Sequence, residues 1–220
     1  MIELQNVCKR YRVKTGWHTV LDNVNLRIEE GKSLGILGVN GAGKSTMIRI
    51  IGGAELPDSG HVIRTSRVSW PIGFSGCFHG TLTGRENLRF VSRVYGADIR
   101  KVTEYVEDFA ELSDYMDMPV KTYSSGMRSK LAFGLSMAIG FDFYLIDEAY
   151  SVGDAAFKQK ADRALKEKAS TSTLIFVSHS MAAVKQNCLC GAVLNAGQLV
   201  YYPDVNEAIK EYTDICNAKR

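Results

Sequence analysis

The stretch Gly38-Val39-Asn40-Gly41-Ala42-Gly43-Lys44-Ser45 constrains this chain more than any other feature. It reads G-x-x-x-x-G-K-[ST] and stands between an apolar run, Ser33–Leu37, and a segment, Lys44 to Ile51, that carries Met47, Ile48, Ile50 and Ile51. A strand, a glycine loop and a helix in that order can cradle a phosphate chain, because glycines let successive backbone N–H groups turn inward while the helix presents its positive end. Lys44 is then placed to contact the β- and γ-phosphates, and the Ser45 hydroxyl to ligate Mg²⁺.

The rest of the chain supplies the elements such a loop needs. Residues 2–7 and 19–28 read as strands, the second with Val24, Leu26 and Ile28 at period two. Pro57-Asp58-Ser59-Gly60 is a turn, followed by extended chain through Val68. Thr83-Gly84-Arg85-Glu86 fits a capping box, and Val102, Tyr105, Val106, Phe109 and Leu112 repeat at helical spacing, so 84–139 reads as mostly helical. Strand-like runs return at Phe143–Asp147 and Thr173–Ser178 with a helical stretch, Ala155–Ala169, between them. That alternation predicts a parallel sheet with crossover helices, an α/β fold. Ala192–Leu194 and Leu199–Tyr202 flank a hairpin turn, and Asp204-x-x-Glu207 opens a last helix.

A triphosphate site also needs a carboxylate for its metal at the end of a buried strand. Phe143-Tyr144-Leu145-Ile146-Asp147 provides one, and Glu148 beside it is placed to act as general base on an attacking water. Tyr123-Ser124-Ser125-Gly126-Met127-Arg128 opens a helix running to Ile139, and its Ser and Gly make a second anion cradle at a helix N-terminus.

Composition narrows the partners. The 220 residues are 45% hydrophobic, which is enough for a packed core, and 27 Lys and Arg against 24 Asp and Glu leave only +3. That charge gives no field for nucleic acid, so any bound anion must be gripped locally. The five cysteines, Cys8, Cys77, Cys188, Cys190 and Cys216, show no C-x-x-C spacing and read as reduced, buried thiols of a cytosolic protein. The N-terminus does not read as a signal peptide, and the longest uncharged apolar stretch, Leu131 to Phe141, is too short to cross a bilayer.

Taken together, these motifs resemble those of the ATP-binding cassette (ABC) ATPases over essentially the whole chain. Ser124-Ser125-Gly126-Met127 falls on that family's L-S-G-G-Q signature, from which Ser125 and Met127 depart. Ser151-Val152-Gly153-Asp154 falls on its D-loop, His179 on its switch histidine, and Tyr11 on the aromatic that stacks on adenine. The resemblance implies a single ABC domain over 1–220, with a RecA-like core, an antiparallel β subdomain and a helical subdomain at about 84–139. It implies ATP binding by Tyr11, Gly38, Asn40, Gly41, Ala42, Gly43, Lys44, Ser45, Thr46, Ser124, Ser125, Gly126 and Asp154. Catalysis is expected from Glu148, His179 and Lys44, and Mg²⁺ ligation from Ser45 and Asp147.

The family's Q-loop glutamine is missing, because the glutamines are Gln5, Gln159, Gln186 and Gln198 and none lies between the phosphate loop and the signature. His79 is a weak substitute, its alternative being to face solvent or a partner. The segment Ser69-Trp70-Pro71-Ile72-Gly73 through Gly84-Arg85-Glu86-Asn87, together with Val152-Gly153-Asp154, resembles the polysaccharide-exporting subfamily, and within it the capsule polysaccharide export ATPases of the KpsT/BexA type. Exporters of O-antigen and teichoic acid share these elements, and a soluble, non-transport ABC ATPase is the other alternative.

The resemblance implies an ATP-sandwich homodimer, since each ATP lies between one copy's phosphate loop and the other's signature. It also implies a multi-span permease that handles the polysaccharide, further envelope export proteins, no nucleic acid, and a peripheral place on the cytoplasmic face of the bacterial inner membrane. Recognition through an appended carbohydrate-binding domain is not expected. Trp70, Phe74 and Phe78 are either apolar anchors for the permease or fillers of the subdomain core.

Overall fold

The computed structural model describes residues 1–72, 75–147, 154–178 and 180–218. They fall into two compact units, Met1–Pro71 with Phe141–Glu148 and Thr171–Arg220, and Ile72–Gly140 with Ala149–Ser170.

In the first unit, β1 (Ile2–Val13) lies between β2 (Gly16–Ile28) and β4 (Ser59–Arg64) in an antiparallel sheet. Ile2, Leu4 and Val7 face Ile28, Leu26 and Val24 across the β1–β2 register, and all six are buried. The two strands run further than alternation predicted. Register shifts between Leu4 and Arg10 break the period-two pattern there, and the charged residues beyond are held by cross-strand pairing, Tyr11 to His18 and Arg12 to Trp17, instead of by a buried face.

The second sheet of this unit has the order β5-β6-β7-β3-β8-β9, with β3 (Leu34–Leu37), β5 (Val68–Pro71), β6 (Phe143–Asp147), β7 (Thr173–Val177), β8 (Cys190–Asn195) and β9 (Gln198–Tyr202). All neighbours are parallel except β8 and β9, which form the predicted hairpin. Continuous apolar runs such as Leu34–Leu37 and Phe143–Ile146 are fully buried, as strands of a covered parallel sheet require. Helix α1 (Lys44–Ile51) places Met47, Ile48, Ile50 and Ile51 in one core with Ile2, Leu4, Leu26, Ile36, Phe143 and Leu145, so the helix after the glycine loop is packed between the two sheets. Two helices, α6 (Met181–Asn187), which the sequence reading did not anticipate, and α7 (Val205–Ala218), pack on β3 and β8 through Val184, Val205, Ala208 and Tyr212.

The second unit holds α2 (Gly84–Val94), α3 (Ile99–Ala110), α4 (Ser125–Ala138) and α5 (Ala155–Ala169). The predicted capping box is present: Thr83 Oγ1 accepts from Glu86 N at 3.1 Å and Glu86 Oε2 accepts from Thr83 N at 2.8 Å. The crossover helix α5 clusters with this unit, not with the sheet whose strands it joins in sequence. The reason is aromatic: Phe157 of α5 meets Phe109 of α3 edge-on at 5.4 Å and Phe133 of α4 at 6.1 Å, while Phe109 and Phe133 stack at 5.6 Å. Among the described residues, no helix is long and apolar enough to cross a membrane.

Candidate nucleotide site

The phosphate loop joins β3 to α1 in the place the sequence predicted. Gly43 is the N-cap of α1 at φ 103°, and a Cβ there would stand 2.4 Å from Val20 Cγ1, so only glycine fits. Asn40, Gly41 and Ser45 are exposed on this turn, while Ala42 is half-buried against the core and its N–H donates to Val39 O at 3.1 Å. Lys44 donates from Nζ to Gly38 O at 2.6 Å and to Val39 O at 3.1 Å, which holds its ammonium against the loop. The short helix thus begins with an exposed hydroxyl, a positive side chain and a positive backbone end, while its far face is locked in the core.

Strand register brings the Asp147 carboxylate to the same edge. Asp147 is level with Val177, and Val177 is level with Ile36, so the C-terminal ends of β6, β7 and β3 lie in one row across the parallel sheet. Ligands of open α/β sheets bind along that edge. Asp147 is half-buried, and with the Ser45 hydroxyl it provides hard oxygen donors that suit Mg²⁺. Glu148, the D-loop residues Ser151, Val152 and Gly153, and His179 lie outside the described residues.

Tyr11 is also beside the loop. Its hydroxyl lies 3.2 Å from Thr46 Oγ1 and donates to Glu55 Oε1 at 2.6 Å, and its ring packs on the core. Thr46 is buried and its hydroxyl is taken up by Tyr11 and by Arg49 Nη2 at 3.3 Å, so its side chain secures Tyr11 and leaves only its backbone N–H for a phosphate. Glu55 and Arg49 carry no motif, and their bonds to the Tyr11 hydroxyl span 44 and 38 residues of sequence, so no local signal marks them.

The signature lies in the second unit. Ser124 caps α4, its Oγ accepting from Met127 N at 3.2 Å, and both Ser124 and Ser125 are exposed. Behind them Tyr123 is buried and its hydroxyl donates to Tyr115 O, while Arg128 Nη1 donates to Tyr123 O at 2.7 Å. Ser124, Ser125, Gly126, Lys130 and Asp154 line an open hollow of about 540 Å³ at this helix end. Asp154 is committed within it: Oδ1 accepts from Phe157 N at 2.9 Å, capping α5, and Oδ2 pairs with Lys130 Nζ at 3.3 Å. The Phe157 N–H first and the Lys130 ammonium second hold the Asp154 carboxyl below its ordinary value. Lys130 also sits 5.0 Å over the Phe157 ring, fixing the start of α5 to the signature helix.

The segment that lacks the glutamine is clasped by Asn87. Asn87 Oδ1 accepts from His79 N at 2.8 Å, and Nδ2 donates to His79 O, Leu82 O and Thr83 O at 2.9–3.3 Å. Arg85 bridges Asp117, at 2.9 Å and 3.2 Å, and Glu107, tying α2 to α3 and to the turn before the signature. Gly84 leaves room for Tyr123, whose hydroxyl would be 2.5 Å from a Cβ there. Each residue of Gly84-Arg85-Glu86-Asn87 therefore has a scaffolding task. The His79 ring is exposed and pairs with Thr81 Oγ1 at 2.8 Å. Trp70 packs edge-on against Phe141 at 5.4 Å, the core arrangement of the two anticipated; Phe78 is half-buried and Phe74 is outside the described residues.

Known proteins place the chain. The ABC transporter family model matches residues 21–151. A polysialic acid transport ATP-binding protein, KpsT of Escherichia coli, is 50% identical over 215 residues, covering 96% of this chain and 98% of its own length. The capsule polysaccharide export ATP-binding protein CtrD of Neisseria meningitidis is 47% identical, covering 98% of this chain and 100% of its own length. Among solved structures, a dimeric ATP-binding cassette, MJ0796, in a post-hydrolysis state bound to ADP and Pi, superposes with a TM-score of 0.75 at 25% identity, covering 93% of this chain and 99% of its own. The phosphate loop, the aligned carboxylate edge and these matches converge: the chain belongs to the ABC transporter family, as one of its nucleotide-binding ATPase cassettes.

Proposed function

We propose that this chain is the ATP-hydrolysing subunit of an exporter that moves capsular polysaccharide across the bacterial inner membrane. It acts at the cytoplasmic face as an ATP-sandwich homodimer, docked on a multi-span permease through which the polysaccharide passes, with further envelope export proteins completing the path. The end-to-end likeness to polysialic acid and capsule polysaccharide export proteins carries this reading.

The site residues account for the chemistry. Backbone N–H groups of Gly41 to Thr46 and the Lys44 ammonium hold the β- and γ-phosphates, and Tyr11 stacks on adenine. Ser45 and Asp147 would hold Mg²⁺, which would supply charge neutralisation for the phosphates. Glu148 takes a proton from water as the water oxygen bonds to the γ-phosphorus, the bridging P–O bond to ADP breaks, and His179 contacts the γ-phosphoryl oxygens. Ser124, Ser125 and Gly126 of a second copy supply the hollow at the α4 N-terminus as the other wall of the site. Closure on ATP and reopening after hydrolysis turn nucleotide state into motion.

The test is the membrane protein that copurifies with the tagged chain from its native membrane. A polysaccharide permease, with accumulation of cytoplasmic capsule polymer when Lys44 is replaced by Ala, is the expected result. A small-molecule permease refutes the assignment, and an O-antigen or teichoic-acid permease moves it to those exporters.

A further inference from the structure

We propose that Glu55 is a positioning residue for the nucleotide base: it tethers Tyr11 so that the ring stands fixed beside the phosphate loop. The inference rests on the reading of Tyr11 as the adenine-stacking residue. Glu55 is the hub of a closed network, with Oε1 accepting from the Tyr11 hydroxyl at 2.6 Å and pairing with Lys9 Nζ at 3.2 Å, and Oε2 accepting from Arg49 Nε at 3.0 Å. The network closes on the loop itself, because the Tyr11 hydroxyl and Arg49 Nη2 both reach Thr46 Oγ1, the residue after the metal-ligating Ser45. Lys9 is held in turn by Asp58 Oδ1 at 3.3 Å and Leu56 O at 2.9 Å, so β1, α1 and the turn before β4 all converge on one carboxylate.

Burial pushes the Glu55 carboxyl up, but the Tyr11, Arg49 and Lys9 donors outweigh it and leave it below its ordinary value, as an ionised acceptor. An ionised acceptor gives strong, directional hydrogen bonds. A tyrosine ring without this anchor has free rotamers to lose when a base stacks on it, whereas the tethered ring has already lost them. Glu55 acts on the base through Tyr11, and because the network also reaches Thr46 a phosphate-only probe is needed to read the loop separately.

Two probes separate base from phosphate: ATP and inorganic tripolyphosphate, their affinities measured by calorimetry on the full chain. Tyr11→Ala lowers ATP affinity and leaves tripolyphosphate unchanged. Glu55→Ala and Tyr11→Phe, which remove the two ends of the tether, each weaken ATP roughly three- to tenfold with tripolyphosphate within about twofold. The double variant Glu55→Ala with Tyr11→Phe is no weaker than either alone, and Glu55→Gln, which still accepts from the hydroxyl, recovers most of the loss.

Equal weakening of both probes by Glu55→Ala makes Glu55 a purely structural residue and overturns the proposal. So does an ATP affinity unchanged in Glu55→Ala but reduced in Tyr11→Ala. ATP affinity unchanged in Tyr11→Ala overturns the stacking reading itself, and the tether with it.

Discussion

The phosphate-loop region and the signature region are built on different principles. Under the phosphate loop, the support is apolar and backbone-made: α1 is wedged by four fully buried aliphatic side chains, and Gly43 is forced by its φ and by Val20. Around the signature, the support is a set of side-chain bonds: Asn87 makes four, Arg85 bridges two carboxylates, and Lys130 ties Asp154 to α4. The first shape needs little more than glycine and aliphatic bulk, whereas the second needs particular polar residues.

That contrast can be broken by substitution. The largest effect is expected at Lys44→Ala, which should cut ATP turnover by about 10²–10³-fold, the scale for losing one preorganised charge partner, while the loss of its bonds to Gly38 O and Val39 O lowers Tm by only about 2–4 °C. Asn87→Ala should do the reverse. It leaves the loop 79–83 without its donors and acceptor in a buried place, costing about 2–3 kcal/mol and lowering Tm by roughly 5–10 °C, while ATP binding to the phosphate loop stays intact. Equal loss of ATP affinity in both variants would erase the distinction.

Smaller changes sharpen it. Gly43→Ala forces a side chain into a left-handed backbone and against Val20, costing about 1–3 kcal/mol, and it should weaken ATP and stability together because loop and core meet there. Ser124→Ala removes a helix cap worth about 1 kcal/mol, visible as a Tm decrease of roughly 2–4 °C. The smallest effect is pH-dependent. The Glu55 carboxyl is depressed, so its stabilisation is complete above the ordinary carboxylate value of 4.5 and is lost as pH falls through the lower folded value. The Tm difference between the native chain and Glu55→Gln should therefore stay constant from pH 8 to 5 and close only in stronger acid.

Much of this molecule was legible in its sequence where one physical rule acts alone. The limits of α1, the capping box at Thr83 and Glu86, the buried run ending at Asp147 and the β8–β9 hairpin each follow from local chemistry. The extended arms of β1 and β2 were not legible, because bulges move charged residues out of the alternating pattern. Helix α6 is only seven residues long and rests on β3 contacts that no local signal announces. Around the site, Lys44 and Ser45 stand out in the G-x-x-x-x-G-K-[ST] spacing and Ser124 as a polar cap at a helix start. Glu55, Arg49 and Lys130 do not, since their partners are distant in sequence and the bonds exist only once the chain is folded.

In the proposed ATP sandwich, one copy's phosphate loop and another copy's signature make each site. The most direct test of that arrangement is sedimentation of the Glu148→Gln chain with and without ATP, repeated with Ser124→Arg added. Twice the mass of one chain is expected only when ATP is present, and one chain mass again when Ser124→Arg blocks the signature hollow. A Glu148→Gln chain that stays monomeric in saturating ATP, or a dimer indifferent to both ATP and Ser124→Arg, would contradict it.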